Sequence, residues 1–90
     1  MTPTTVEVVL SDEIDRWSQK SFSQLRAELK EPVGYLTRRG EKQYTVEVQL
    51  LDDSDTLLQI GIDVDDGTVL RTFFPKGRTF IVYRDGRVEK

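Results

Sequence analysis

Cysteine and histidine are both absent from the 90 residues of this chain. Without Cys there is no disulfide, no thiolate nucleophile and no sulfur metal site, and the composition leans towards a reducing compartment. Without His the commonest general base and the commonest metal ligand are missing, and Ser–His and Cys–His nucleophilic chemistry is excluded. Only carboxylates, lysines and tyrosines remain for catalysis, and no glycine-rich nucleotide-binding loop occurs. The chain is therefore expected not to be an enzyme, and no catalytic residue, cofactor or metal is assigned to it. Long apolar runs are lacking too. The first ten residues, "MTPTTVEVVL", carry no basic n-region and only a short apolar patch, so they read neither as a signal peptide nor as a membrane span. The expected address is the cytoplasm, with no membrane partner.

The sequence has 37% hydrophobic and 32% charged residues, a globular composition that excludes global disorder. Its length suits one domain over residues 1–90, with residues 1–4 and 88–90 expected to fray. Charge is unevenly spread beneath a net −3. Residues 41–67 set eight acids against Lys42 alone, whereas residues 68–90 hold six bases and two acids. Such polarity steers partners without dictating a fold.

"TTVEVV" alternates β-formers and predicts a first strand over Thr5–Leu10. Ser11, followed by Asp12, Glu13 and Asp15, resembles a helix N-terminus, where acids suit the positive end of the dipole. Ile14, Trp17, Phe22, Leu25 and Leu29 fall near the helical period and predict one helix over 12–30. Ser18 and Ser21 interrupt its stripe, and Ser21 or Ser23 is placed to cap a second segment. Pro32 ends the run.

From Val33 the period becomes two. Tyr44, Val46, Val48 and Leu50 share one face, as do Leu58, Ile60, Ile62 and Val64. Turns are expected at Arg39-Gly40 and at "DDSD", "DDG", "PKG" and "DG". Connections this short demand antiparallel pairing. The fold class is α+β, with one N-terminal amphipathic helix on one face of a four- to six-stranded antiparallel meander. Expected core residues are Ile14, Trp17, Leu25, Leu29, Tyr44, Val46, Val48, Ile60, Ile62, Phe80 and Val82.

Several stretches bear on function. "KGRTFIVY" partly matches an RNA-recognition signature, but Arg78 stands where the first stacking aromatic belongs. Read plainly, the stretch is a turn between two strands. "DVDDG" fails as an EF-hand loop, because Gly67 is the fifth residue from Asp63 rather than the sixth. Trp17 reads as a core anchor, with an exposed contact as the alternative. An edge strand at 5–10 or 79–88 offers a site for strand addition. A helix, a "YTVEV" strand and a strand ending "IDVDDGTVL" together resemble PepSY-type modules over about half the chain. That resemblance implies an inhibitory or ligand-binding piece of an exported or membrane-attached protein. It rests on hairpin features common to many folds, and the chain is not assigned to the family.

The expectation that follows is a small non-enzymatic binding module acting through contact with another protein or with a second copy of itself. The alternative is a nucleic-acid binder using the basic and aromatic surface of residues 71–87. Either way the candidate partner surface comprises Arg71, Lys76, Arg78, Arg84 and Arg87.

Overall fold

The computed structural model describes residues 5–67 and 76–90, with the side chain of Lys76 outside that set. Two helices, α1 (Val6–Trp17) and α2 (Phe22–Glu28), precede five strands: β1 (Val33–Arg39), β2 (Lys42–Asp53), β3 (Leu57–Asp65), β4 (Lys76–Tyr83) and β5 (Val88–Glu89). The strands form one antiparallel sheet in chain order. The fold is α+β, with the helices on one face of the sheet.

The expected first strand over Thr5–Leu10 is corrected: these residues begin α1. Thr5 is the N-cap, and its hydroxyl accepts from the Val8 amide at 3.3 Å. Val6, Val9, Leu10, Glu13, Ile14 and Trp17 are the buried positions of the helix. Their spacing of three and four is helical, and it outlasts the short alternation of "VEVV". Each β-branched Val costs a few tenths of a kcal/mol in a helix. Burying Val6 and Val9 against the sheet offsets that, at about 1.5–3 kcal/mol for a side chain of this kind.

A single helix over 12–30 is likewise corrected to two. Ser18 closes α1, and Ser21 caps α2 by accepting from the Gln24 amide at 3.1 Å. The two serines that interrupt the apolar stripe thus mark the break, because their hydroxyls compete for backbone groups that a continuous helix would use.

Gly40, at φ +64°, is the first of two loop residues joining β1 to β2, a position where two-residue hairpins favour glycine. The turn expected at "PKG" is not formed by Lys76 and Gly77, which pair with Val64 and Asp63 as the first residues of β4. Pro75 lies outside the described residues, as do Phe73 and Phe74. Gly77 serves strand packing instead: a Cβ there would collide with Oδ1 of Asp63, which leans over it. At the opposite end of β4, Val88 and Glu89 pair with Val82 and Ile81.

All eleven expected core residues are buried, joined by Val6, Val9, Leu10, Phe22, Leu58 and Val64. Tyr44, Val46 and Val48 of β2, the even-numbered residues of β3, and Phe80 and Val82 of β4 form the helix-facing layer. The register shifts at Leu50/Asp52, and Leu51 lies over Gly61 on the other face. None of the helices among the described residues is long and apolar enough to cross a membrane.

Candidate functional site

Of the five basic residues singled out from sequence, the side chains of Arg78, Arg84 and Arg87 are among those described. Arg71 lies outside the described residues, and so does the Lys76 side chain. Arg78 pairs with Ile62 and is exposed. Arg84 follows β4 and turns to the helix side. Its Nη1 donates to the Asp55 carbonyl at 3.2 Å, and its guanidinium sits 6.0 Å from the Phe22 ring. Arg87 goes elsewhere. It lies 4.4 Å from the ring centre of Tyr83, and its Nε is 3.0 Å from Oδ2 of Asp85.

Arg84 belongs to a groove of about 740 Å³ between α2 and the β4–β5 hairpin. Phe22, Val82 and Val88 supply its apolar surface, and Val88 is 40% exposed. Lys20, Arg26, Lys30 and Arg84 line it with positive charge, and among the described residues Asp85 is the one carboxylate of the lining. The local sequence builds this arrangement directly. Ser21 starts α2 so that Phe22 points into the core layer, which leaves Arg26 one turn on beside the same groove.

The cations are not equally engaged. Lys20 is 3.1 Å from Glu28, and Arg26 is 2.7 Å from Asp53. Exposed pairs of this kind are worth about 0–1 kcal/mol, so an incoming carboxylate displaces them at small cost. Among the described residues no carboxylate lies within 4.0 Å of Lys30 or Arg84. Asp85 accepts from the Arg87 amide at 3.0 Å, and chiefly this bond, with the Arg87 guanidinium adding, holds its carboxyl below the usual range.

A second polar feature lies between α1 and β1. Trp17 is 4% exposed, a core anchor as the plainer reading had it. Its Nε1 donates to the Tyr35 hydroxyl at 2.7 Å, which donates in turn to Oε2 of Glu13 at 2.8 Å. Glu13 is 1% exposed, with Nη1 of Arg16 3.6 Å from the same oxygen. Burial pushes the Tyr35 hydroxyl up to about 12; the bond to Glu13 adds to this and the Trp17 donor opposes it. A phenol held that high keeps its proton at neutral pH, which suits a structural lock rather than a base or nucleophile. Sequence reasoning placed Glu13 in the first turn of a helix, as one of the acids that suit its dipole. Its spacing from Val9, Leu10 and Trp17 was the signal that it lies on the buried stripe.

The acidic turns contribute no metal cage. Asp53 faces Arg26, Asp65 accepts from the Gly67 amide, and Lys42 is 3.7 Å from Asp66. Among the described residues no group of three or more potential ligands gathers. On the face of the sheet away from the helices, Glu47 stands directly opposite Asp63. Like charges so placed are destabilising, and Asp63 leans away from Glu47, over Gly77. Glu47→Gln is therefore expected to raise stability by about 0.2–1 kcal/mol in urea unfolding. A loss of stability would mean that Glu47 makes a favourable contact.

Comparison of the chain with protein-family models, with curated proteins and with solved structures returns no match.

Proposed function

We propose that the protein is a non-enzymatic binding module that acts through contact with another protein. We place its binding site in the groove between α2 and the β4–β5 hairpin, and its preferred partner is an acidic segment carrying apolar side chains. The observation that carries this reading is the composition of the groove: among the described residues, apolar Phe22, Val82 and Val88 stand beside four cations and one carboxylate. Phe22 and Val82 are buried and fix the shape of the groove, and the 40% exposed Val88 offers apolar surface to a partner. Lys30 and Arg84 remain to meet carboxylates at its edge. Apolar contact supplies affinity in such a site, and charge at its rim supplies orientation and encounter rate. The cysteine-free composition suits a reducing compartment such as the cytoplasm.

A nucleic-acid surface across residues 71–87 is the second reading. Arg78 and Arg84 favour it, since both are exposed cations of that stretch. It is the weaker of the two because the Arg87 charge is met by Asp85, and a phosphate-binding surface needs cations that converge.

Calorimetric titration with a blocked synthetic peptide of alternating Asp and Leu tests the first reading. The double variant K30E/R84E is expected to bind at least about tenfold more weakly than the unaltered protein, equivalent to about 1.4 kcal/mol. Equal affinity of the two proteins would remove the groove from consideration, and displacement of the peptide by oligothymidylate would favour the nucleic-acid reading.

A further inference from the structure

The edge of the sheet carries an inference separate from the groove. β1 is the terminal strand of the sheet, so alternate residues turn backbone N–H and C=O groups outward with no neighbouring strand among the described residues. At the opposite edge β4 is partly covered by β5. Strand β1 also carries Leu36, which is 61% exposed, the most exposed large hydrophobic residue among those described.

We infer that two copies of this chain pair antiparallel through β1, about a two-fold axis at Leu36, and that Arg38 of each copy reaches Glu47 of the other. Leu36 is the midpoint of Val33–Arg39, so this register uses the whole strand. It sets Leu36 against Leu36, Tyr35 against Thr37 and Gly34 against Arg38. Residues of the same sheet face meet in every pair, which puts the helices of both copies on one side.

The charges fit this register. Within one chain, Gly34 is the direct partner of Glu47, and Glu47 of Asp63. Arg38 of the second copy therefore enters a row that reads Arg38, Gly34, Glu47, Asp63. Gly34 has no side chain to block the way, and a Cβ built there would find only the Val46 carbonyl, 3.9 Å away. Arg38 and Glu47 are then two strand spacings apart, about 10 Å, a gap that their extended side chains span together. Neither is otherwise satisfied. Among the described residues Arg38 makes one long bond, from Nε to the Gly40 carbonyl at 3.3 Å. Glu47 faces a like charge, and among the described residues no cation lies within 4.0 Å of it. Within a single chain the two are too far apart along the hairpin to meet, since Arg38 pairs with Gln43 and Glu47 with Gly34. A second copy supplies the cation that the carboxylate row lacks.

Sedimentation analysis of four proteins tests this: the unaltered chain, R38E, E47R and the double variant R38E/E47R. Both positions are exposed strand sites, and E47R also relieves the Glu47–Asp63 repulsion, so folded variants are expected and far-UV circular dichroism verifies them. The unaltered chain is expected to dimerise reversibly. Each single reversal is expected to raise the dissociation constant at least about tenfold, and the double reversal to restore it to within about threefold. A monomer at millimolar concentration overturns the inference. So does a dimer that is indifferent to the single reversals, or one that the double reversal leaves broken. Peptide binding by the groove is read separately, so failure of the dimer leaves that result standing.

Discussion

Trp17→Ala is expected to lower the stability of the protein by about 3–5 kcal/mol, the range for removing a large buried aromatic. The ring is 4% exposed and belongs to the core cluster. It stacks on Tyr35 with ring centres 6.4 Å apart, and Lys20 lies 5.0 Å from its own centre. Alanine would leave a cavity between α1 and β1 and deprive the Tyr35 hydroxyl of its donor. Domains are stable by about 5–15 kcal/mol, so this one change takes a large share of the whole. Urea unfolding reads it as a lower midpoint at unchanged slope. A loss below about 1 kcal/mol would mean that the indole is an exposed contact rather than a core anchor.

Tyr35→Phe acts on the same place through a different term. Its ring is kept, but the Trp17 N–H and the Glu13 carboxylate, which the hydroxyl joined at 2.7 and 2.8 Å, lose their common partner. No buried side-chain polar atom among the described residues lacks a partner in the intact protein. A buried group left unpaired costs about 1–3 kcal/mol, and more when charged. Tyr35→Phe is expected to cost about that much near neutral pH. Adding Glu13→Leu should recover part of the loss, because it removes a buried carboxylate left with the 3.6 Å contact to Arg16 in place of a hydrogen bond. The pH dependence has a definite sign. In the folded state burial pushes the phenol up to about 12, above its ordinary value of 10.0. Between those values the folded protein keeps a proton that the unfolded chain has lost. The contribution is therefore complete below pH 10 and disappears as pH rises through about 12. The gap between the two proteins should narrow over that window. A gap constant from pH 9 to 12 would show that the hydroxyl does not titrate with folding.

Much of the fold was legible because its signals are local and repeated. Period-two alternation from Val33 onward places Tyr44, Val46, Val48, Ile60 and Ile62 on the buried face, where they are found. Short connections required antiparallel neighbours, and the sheet runs in chain order. Where two periods compete over few residues, the reading failed. "TTVEVV" alternates for six positions, yet Val6, Val9, Leu10 and Ile14 continue a helical stripe whose burial decides the outcome. "PKG" has turn chemistry, but Lys76 and Gly77 are held in β4 by pairing with β3, and the missing side chain of Gly77 accommodates Asp63.

The groove was beyond local reading. Lys20 and Lys30 flank α2, far from Arg84 in sequence, and meet it only because α2 lies beside the β4–β5 hairpin. Of the basic residues chosen from sequence whose side chains are described, Arg84 alone lines it. Clustering along the chain selected Arg87 as well, although Asp85 two residues earlier already meets its charge. The Arg38–Gly34–Glu47 relationship was equally hidden, since it depends on the β1–β2 register and not on spacing in sequence.

The groove as a protein-binding site is tested most directly by amide shifts of the labelled protein, titrated with the alternating Asp-Leu peptide and, separately, with oligothymidylate. The peptide is expected to move residues 18–30 and 82–88 together and to lose this effect as salt rises, while the oligonucleotide leaves α2 unmoved. Peptide shifts absent from α2, or oligonucleotide shifts concentrated in residues 76–87, would contradict the account and give that basic stretch to nucleic acid.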